Sequence, residues 1–124
     1  MAVPILKHQD YLIASIQSLL TDTDLWHLCD DLAAQVGQVR ARGVIVDVTV
    51  LDVLDSFATR VLCAIAQAMK LRGAHTVIVG IQPEVAFAMV QLGLSLEGVA
   101  TALDLEEGLA YLDRRTKGTR NHGG

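Results

Sequence analysis

Two short apolar runs, Val44–Val48 and Thr76–Val79, constrain this chain more than any other feature. Neither alternates polar with apolar residues, so neither suits a strand with one wet face. Runs of this kind belong to strands covered on both sides, as in a parallel sheet held between helices. Between them, the segment from Ser56 to about Leu71 carries Val61, Leu62, Ile65 and Met69 at helical spacing, and Gly73 closes it. Strand, helix and strand in that order demand a crossover, which is right-handed in nearly all proteins.

The rest of the chain extends the same plan. Val3–Lys7 and Tyr11–Gln17 read as two strands joined by the polar turn His8-Gln9-Asp10, a hairpin. Thr21-Asp22-Thr23-Asp24 offers N-caps for a helix running to about Arg40, with Leu25, Cys29, Leu32, Val36 and Val39 on its inner face. Arg42-Gly43 marks its end. Gly80-Ile81-Gln82-Pro83 is a turn that launches a third helix, whose expected apolar face is Val85, Ala86, Met89 and Val90. Val99–Ala102 is a short fifth strand, and Asp104 with Glu107 forms a capping-box-like pair for the last helix. The order β-β-α-β-α-β-α-β-α predicts an α/β domain, a small mixed sheet of about five strands with about four helices.

A chain of 124 residues is enough for one compact domain. Hydrophobic residues make up 52% and charged residues 19%, which excludes disorder over most of the length. The mean hydropathy of +0.40 is high, so some apolar surface is expected to be covered by a partner or a second copy, and a homodimer is expected. The longest apolar stretches, Val61–Ala66 and Val85–Val90, are far short of a membrane span. The N-terminus lacks the plan of a signal peptide, and a cytoplasmic protein is expected. Cys29 and Cys63 fall within helices and are expected to be reduced. The four histidines are scattered without metal-ligand spacing, so neither a metal nor another cofactor is expected.

Charge is unevenly spread. Residues 1–113 carry six basic against fourteen acidic residues, whereas 114–124 hold Arg114, Arg115, Lys117 and Arg120. The domain is therefore assigned to 1–113 and the basic segment to a frayed, solvated tail. An acidic body argues against nucleic acid and for a partner with basic patches.

For chemistry, the sequence lacks a Walker-type glycine loop, a G-x-G-x-x-G and a G-x-S-x-G elbow. Asp47, Asp52 and Asp55 form an acidic group after the third strand, without a lysine or phosphate loop to make a Mg²⁺ site of it. Ser56 follows at the head of the second helix, beside N–H groups that would receive a phosphate. It reads as an N-cap, with Asp55 as an alternative cap, and as a phosphorylatable switch. A phosphoryl group would add about −1.5 to −2 charges beside Asp52 and Asp55 and would repel a docked partner. Thr59 is one turn on, a second candidate acceptor or an ordinary helix-surface residue. Arg60, four residues after Ser56, could pair with Asp55 or a phosphate. Hydrolysis by Ser56 would need a base, and His75 is the only central histidine.

Asp55-Ser56-Phe57, within Ile45-Val46-Asp47 to Leu54-Asp55-Ser56-Phe57, resembles the phosphoacceptor loop of STAS domains, the anti-sigma-factor antagonist fold. The segments Val3–Lys7, Ser15-Ile16-Gln17, Gly80-Ile81-Gln82-Pro83 and Thr101–Glu106 are also similar, nearest to the RsbS-type proteins of the bacterial stressosome. RsbR-like relatives can carry a threonine just before the Gly-Ile-x-Pro turn, where this chain has Val79. With no sensor domain ahead of the motif, that favours the RsbS type. The resemblance covers about residues 3–112 and implies a non-enzymatic role. Proteins of this type assemble with RsbR-like sensor proteins, hold an RsbT-like switch serine kinase until it phosphorylates the serine matched by Ser56, and are reset by an RsbX-like phosphatase. It implies Ser56 as acceptor, a docking rim of Asp52, Asp55, Thr59 and Arg60, and Asp47 as a loop-shaping residue. An accessory subunit of a membrane transport system and a nucleotide-binding module are the competing readings.

Overall fold

The structure is a computed structural model that describes residues 3–117. Its elements are β1 (Ile5–His8), β2 (Tyr11–Ser15), α1 (Asp22–Val39), β3 (Gly43–Asp47), α2 (Ser56–Leu71), β4 (His75–Val79), α3 (Pro83–Gln91), β5 (Ala100–Ala102) and α4 (Leu105–Lys117). The five strands form one sheet in sequence order; β1 pairs antiparallel with β2, and the other pairs are parallel. This is the mixed α/β sheet expected from the apolar runs.

Alternation along the strands divides the core in two. Leu12, Ala14, Val44, Val46 and Ile78 pack with residues of α1, α2 and α3, while Tyr11, Ile13, Ile45, Val77 and Val79 pack with Leu112 of α4. Burial on both faces explains why β3 and β4 read as unbroken apolar runs. Helix α1 starts at a capping box: Thr21 Oγ1 accepts the Asp24 N–H at 3.1 Å, and Asp24 accepts the Thr21 N–H at 3.1 Å. It ends in a left-handed Arg40 (φ 54°).

Several side chains fall differently from the periodic reading. On α1 the buried set is Leu25, Leu28, Leu32 and Val36; Val39, in the last turn, is 40% exposed, and Cys29 is half-buried. On α3 only Val85 and Met89 are buried, and Val90 is 75% exposed, because a nine-residue helix turns only a narrow stripe toward the core. Helix α4 continues through Arg114, Arg115 and Thr116 to Lys117, because buried Thr116 accepts Arg42 Nη2 on its carbonyl at 2.7 Å and lies 2.9 Å from the Tyr11 hydroxyl. Residues 118–124 of the expected tail lie outside the described residues. No helix among the described residues is long and apolar enough to cross a membrane.

Candidate functional site: the turn between β3 and α2

Strand β3 ends at Asp47, whose carboxylate accepts the Thr49 N–H at 2.9 Å and the Thr49 hydroxyl at 2.6 Å. This side-chain turn bends the chain away from the sheet. The next loop over holds it there. The Val48 N–H donates to the Val79 carbonyl at 3.0 Å, and Gln82 Nε2 donates to the Thr49 carbonyl at 2.7 Å. Gly80 has φ +83°, and a Cβ there would lie 2.0 Å from Thr49 Oγ1, so only glycine fits the contact. Asp47, Thr49, Gly80 and Gln82 are thus joined in one set of contacts across the two loops. The turn Gly80–Pro83 was visible in the sequence as a helix start; Thr49 left no signal, since its role exists only across two loops.

Leu51 and Leu54 are buried, which turns Asp52, Val53, Asp55 and Ser56 outward. Asp55 is the N-cap: it is extended (φ −82°, ψ −179°), and its carboxylate accepts the Ala58 N–H at 2.8 Å. Ser56 is therefore the first helical residue and not the cap. Its side chain is exposed and makes no hydrogen bond among the described residues. The N–H groups of Ser56 and Phe57 remain at the helix start, where an anion is favoured.

Thr59 does not belong to the exposed rim. It is 3% exposed, and its hydroxyl donates to the Asp55 carbonyl at 2.8 Å, bracing the first turn from inside. Arg60 is exposed, and its guanidinium carbon stands 5.8 Å from the centre of the Phe57 ring. Phe57 in turn meets Trp26 of α1 edge-on, with ring centres 6.3 Å apart at 83°. Trp26 is 47% exposed, an aromatic surface beside Ser56 that lies off the apolar stripe of α1. A small apolar cavity of about 50 Å³, lined by Leu19, Leu20, Leu25, Val53, Leu54 and Leu62, opens between this turn and the loop before α1.

His75 lies at the other end of the sheet. It pairs with Gly43, whereas Asp47 pairs with Val79, so four residues of strand, about 13 Å, separate it from the Ser56 end. A Ser56–His75 catalytic pair is thereby ruled out. Among the described residues no group of three or more His, Cys, Asp or Glu side chains is arranged to hold a metal ion.

The family model for the STAS domain matches residues 3–108. The RsbT co-antagonist protein RsbRA of Bacillus subtilis (strain 168) is 30% identical over 82 residues, which is 66% of this chain and 30% of the relative. The chain thus spans about a third of that relative's length. Among solved structures, an RsbS of Moorella thermoacetica carrying a serine-to-glutamate substitution is 37% identical, with a TM-score of 0.78 over 93% of this chain and 97% of the other. A chain from the stressosome, described as a signal integration and transduction hub, is 38% identical, with a TM-score of 0.77 over 92% of this chain and 99% of the other. The chain belongs to the STAS domain family, with RsbS proteins among its structural neighbours.

Proposed function

We propose that this protein is a phosphorylation-controlled scaffold and antagonist of the stressosome type. It sequesters an RsbT-like switch serine kinase and releases it when Ser56 is phosphorylated. The observation that carries the reading is the division of labour at the start of α2. Asp55 caps the helix, while Ser56 next to it is exposed and free of hydrogen bonds among the described residues. A phosphoryl group on Ser56 would thus meet free helix N–H groups without dismantling the cap. It would also concentrate negative charge beside Asp52 and Asp55 and weaken a docked partner by like-charge repulsion and desolvation.

Similarity to RsbS and to a stressosome chain over nearly the whole length supports assembly with an RsbR-like STAS sensor protein. An RsbX-like phosphatase would reset the switch, and self-association would cover exposed apolar side chains such as Phe87 and Val90. The docking rim consists of Asp52, Asp55 and Arg60. The protein acts in the cytoplasm and turns over no substrate.

The test is incubation with an RsbT-like kinase and Mg-ATP, followed by tandem mass spectrometry and kinase-binding assays. One phosphate on Ser56, absent from Ser56→Ala, is expected. Ser56→Asp should bind kinase more weakly with an unchanged fold, and Ser56→Ala should hold it constitutively. Equal affinity of the kinase for wild type, Ser56→Asp and the phosphorylated protein would sink the switch.

A further inference from the structure

The opposite end of the sheet carries a second constellation, independent of Ser56. Strand β5 pairs with β4 only at Val77–Val79, leaving His75 and Thr76 beyond the last pair on that edge. Beside them opens a cleft of about 300 Å³. Lys70 reaches it from the last turn of α2, His75 and Thr76 from β4, and Tyr111 and Arg115 from α4. Ala66, Ala74, Gly98 and Ala100 make the rest of the wall, and their small size leaves the space open. Among the described residues no carboxylate lines this cleft; Glu97 lines an adjoining one that shares Lys70 and Gly98.

Arg115 is positioned by Tyr111, and neither cation is fully used among the described residues. Arg115 Nε donates to the Tyr111 hydroxyl at 3.1 Å, and the guanidinium carbon lies 5.5 Å from the centre of that ring. Its Nη groups, like Lys70 Nζ, have no partner among the described residues. A basic residue in the last turn of a helix is ordinarily explained by the helix dipole, and this accounts for Lys70 and Arg115 taken singly. It does not account for both lining one cleft, nor for Thr76. Thr76 is 8% exposed, and its buried hydroxyl has no hydrogen-bond partner among the described residues. Buried hydroxyls are as a rule satisfied, and an oxygen-rich ligand seated in the cleft would satisfy this one after a turn about χ1.

We propose that the cleft binds the phosphoryl group of a small phosphate ester. Lys70 and Arg115 neutralise its charge, and the His75 ring and Thr76 hydroxyl supply further hydrogen bonds. Polar side chains from three elements line the cleft from both faces of the sheet, which suits a tetrahedral anion with several oxygens better than a planar carboxylate. The guanidinium fork is matched to phosphate oxygens, and the ammonium acts as a point charge. The volume stands at the lower end of ligand pockets, which suits a small ester and excludes a dinucleotide. This assigns a role to Arg115, part of the basic C-terminal segment that the Ser56 switch leaves unused.

The test is an amide NMR titration of the ¹⁵N-labelled full chain at neutral pH and constant ionic strength. The probes are inorganic phosphate and glycerol 3-phosphate, with chloride and acetate as comparisons. Saturable shifts at Lys70, His75, Thr76, Gly98, Tyr111 and Arg115 are expected with both phosphates, the ester binding more tightly. The Lys70→Ala/Arg115→Ala double variant should lose roughly tenfold or more in affinity, while Lys7→Ala/Arg40→Ala keeps it. The spectra themselves report whether each variant is folded. Shifts equal to those with chloride, unchanged affinity in the first double variant, or tighter binding of a short single-stranded oligonucleotide across a wider surface would each overturn the proposal.

Discussion

Asp55 and Ser56 are neighbours with separate duties, and that separation can be measured. Loss of the Asp55 cap removes the acceptor for the Ala58 N–H, a change that typically costs about 1 kcal/mol. Asp55→Ala should therefore lower the unfolding free energy by that amount, read as a lower denaturant midpoint, and leave Ser56 open to phosphorylation. Ser56→Ala should leave the unfolding free energy within about 0.5 kcal/mol of wild type, because its hydroxyl bonds to nothing among the described residues. A large loss in Ser56→Ala would mean that the serine carries the cap after all. Much of this was legible in the sequence, which offered both residues as caps. The choice between them needed the backbone, because the cap is the last extended residue and only coordinates locate it.

At the scale of elements, α1 and α2 meet beside the acceptor through Trp26, Phe57 and Arg60. Ser56 and Arg60 are four residues apart on α2, the spacing at which helix side chains are neighbours. A phosphoryl group on Ser56 should draw the Arg60 guanidinium off the Phe57 ring and alter the edge contact to Trp26. Trp26 is the sole tryptophan of the chain, so its fluorescence reports the event without labels. Phosphorylation should shift the emission of wild type but not of Arg60→Gln; the same shift in both would exclude Arg60 as the link. The paired loops make a second prediction. Gly80→Ala puts a methyl group onto Thr49 at a positive φ and should destabilise by about 1–3 kcal/mol in chemical denaturation. It should also loosen the turn that presents Asp52 and Asp55, with a lower rate of Ser56 phosphorylation. Helical period and turn residues announced these elements, but the contact between two loops has no period to read.

Over the whole molecule, α4 is tied down at one end of the sheet. The fully buried Tyr11 donates its hydroxyl to Asp113 at 2.5 Å, and Arg42 reaches the carbonyl of Thr116. Burial raises the Tyr11 phenol above its ordinary 10.0, and the Asp113 hydrogen bond adds to the rise. That same bond, first among its causes, lowers the Asp113 carboxyl below its ordinary 3.8. The raised phenol keeps its proton in the folded state after the unfolded chain has lost it. Its contribution is therefore complete below pH 10 and is lost as pH rises through the raised value. The lowered carboxyl works in the other direction: its contribution is complete above pH 3.8 and is lost as pH falls through the lowered value. Tyr11→Phe should cost about 1–2 kcal/mol at neutral pH and flatten the fall of Tm between about pH 9 and pH 11. An alkaline limb identical to wild type would show that Tyr11 does not govern it.

The amino-acid sequence by itself determined the order of elements and the two-sided burial of β3 and β4. It also marked where most of the helices begin and end, to within a few residues. These are local matters, set by side-chain period, capping chemistry and the conformational limits of glycine and proline. It determined as well that Ser56 would stand at a helix start in a family-like acidic turn. Tertiary structure alone decided what lay across distances in the chain. It withdrew Thr59 from the surface, carried α4 through Thr116 against Tyr11 and Arg42, and set Thr49 against Gly80. It also gathered Lys70, His75, Thr76 and Arg115 around one cleft. The physical reason is the same in each case: burial and long-range hydrogen bonds depend on which surfaces meet, and no local pattern records the partner.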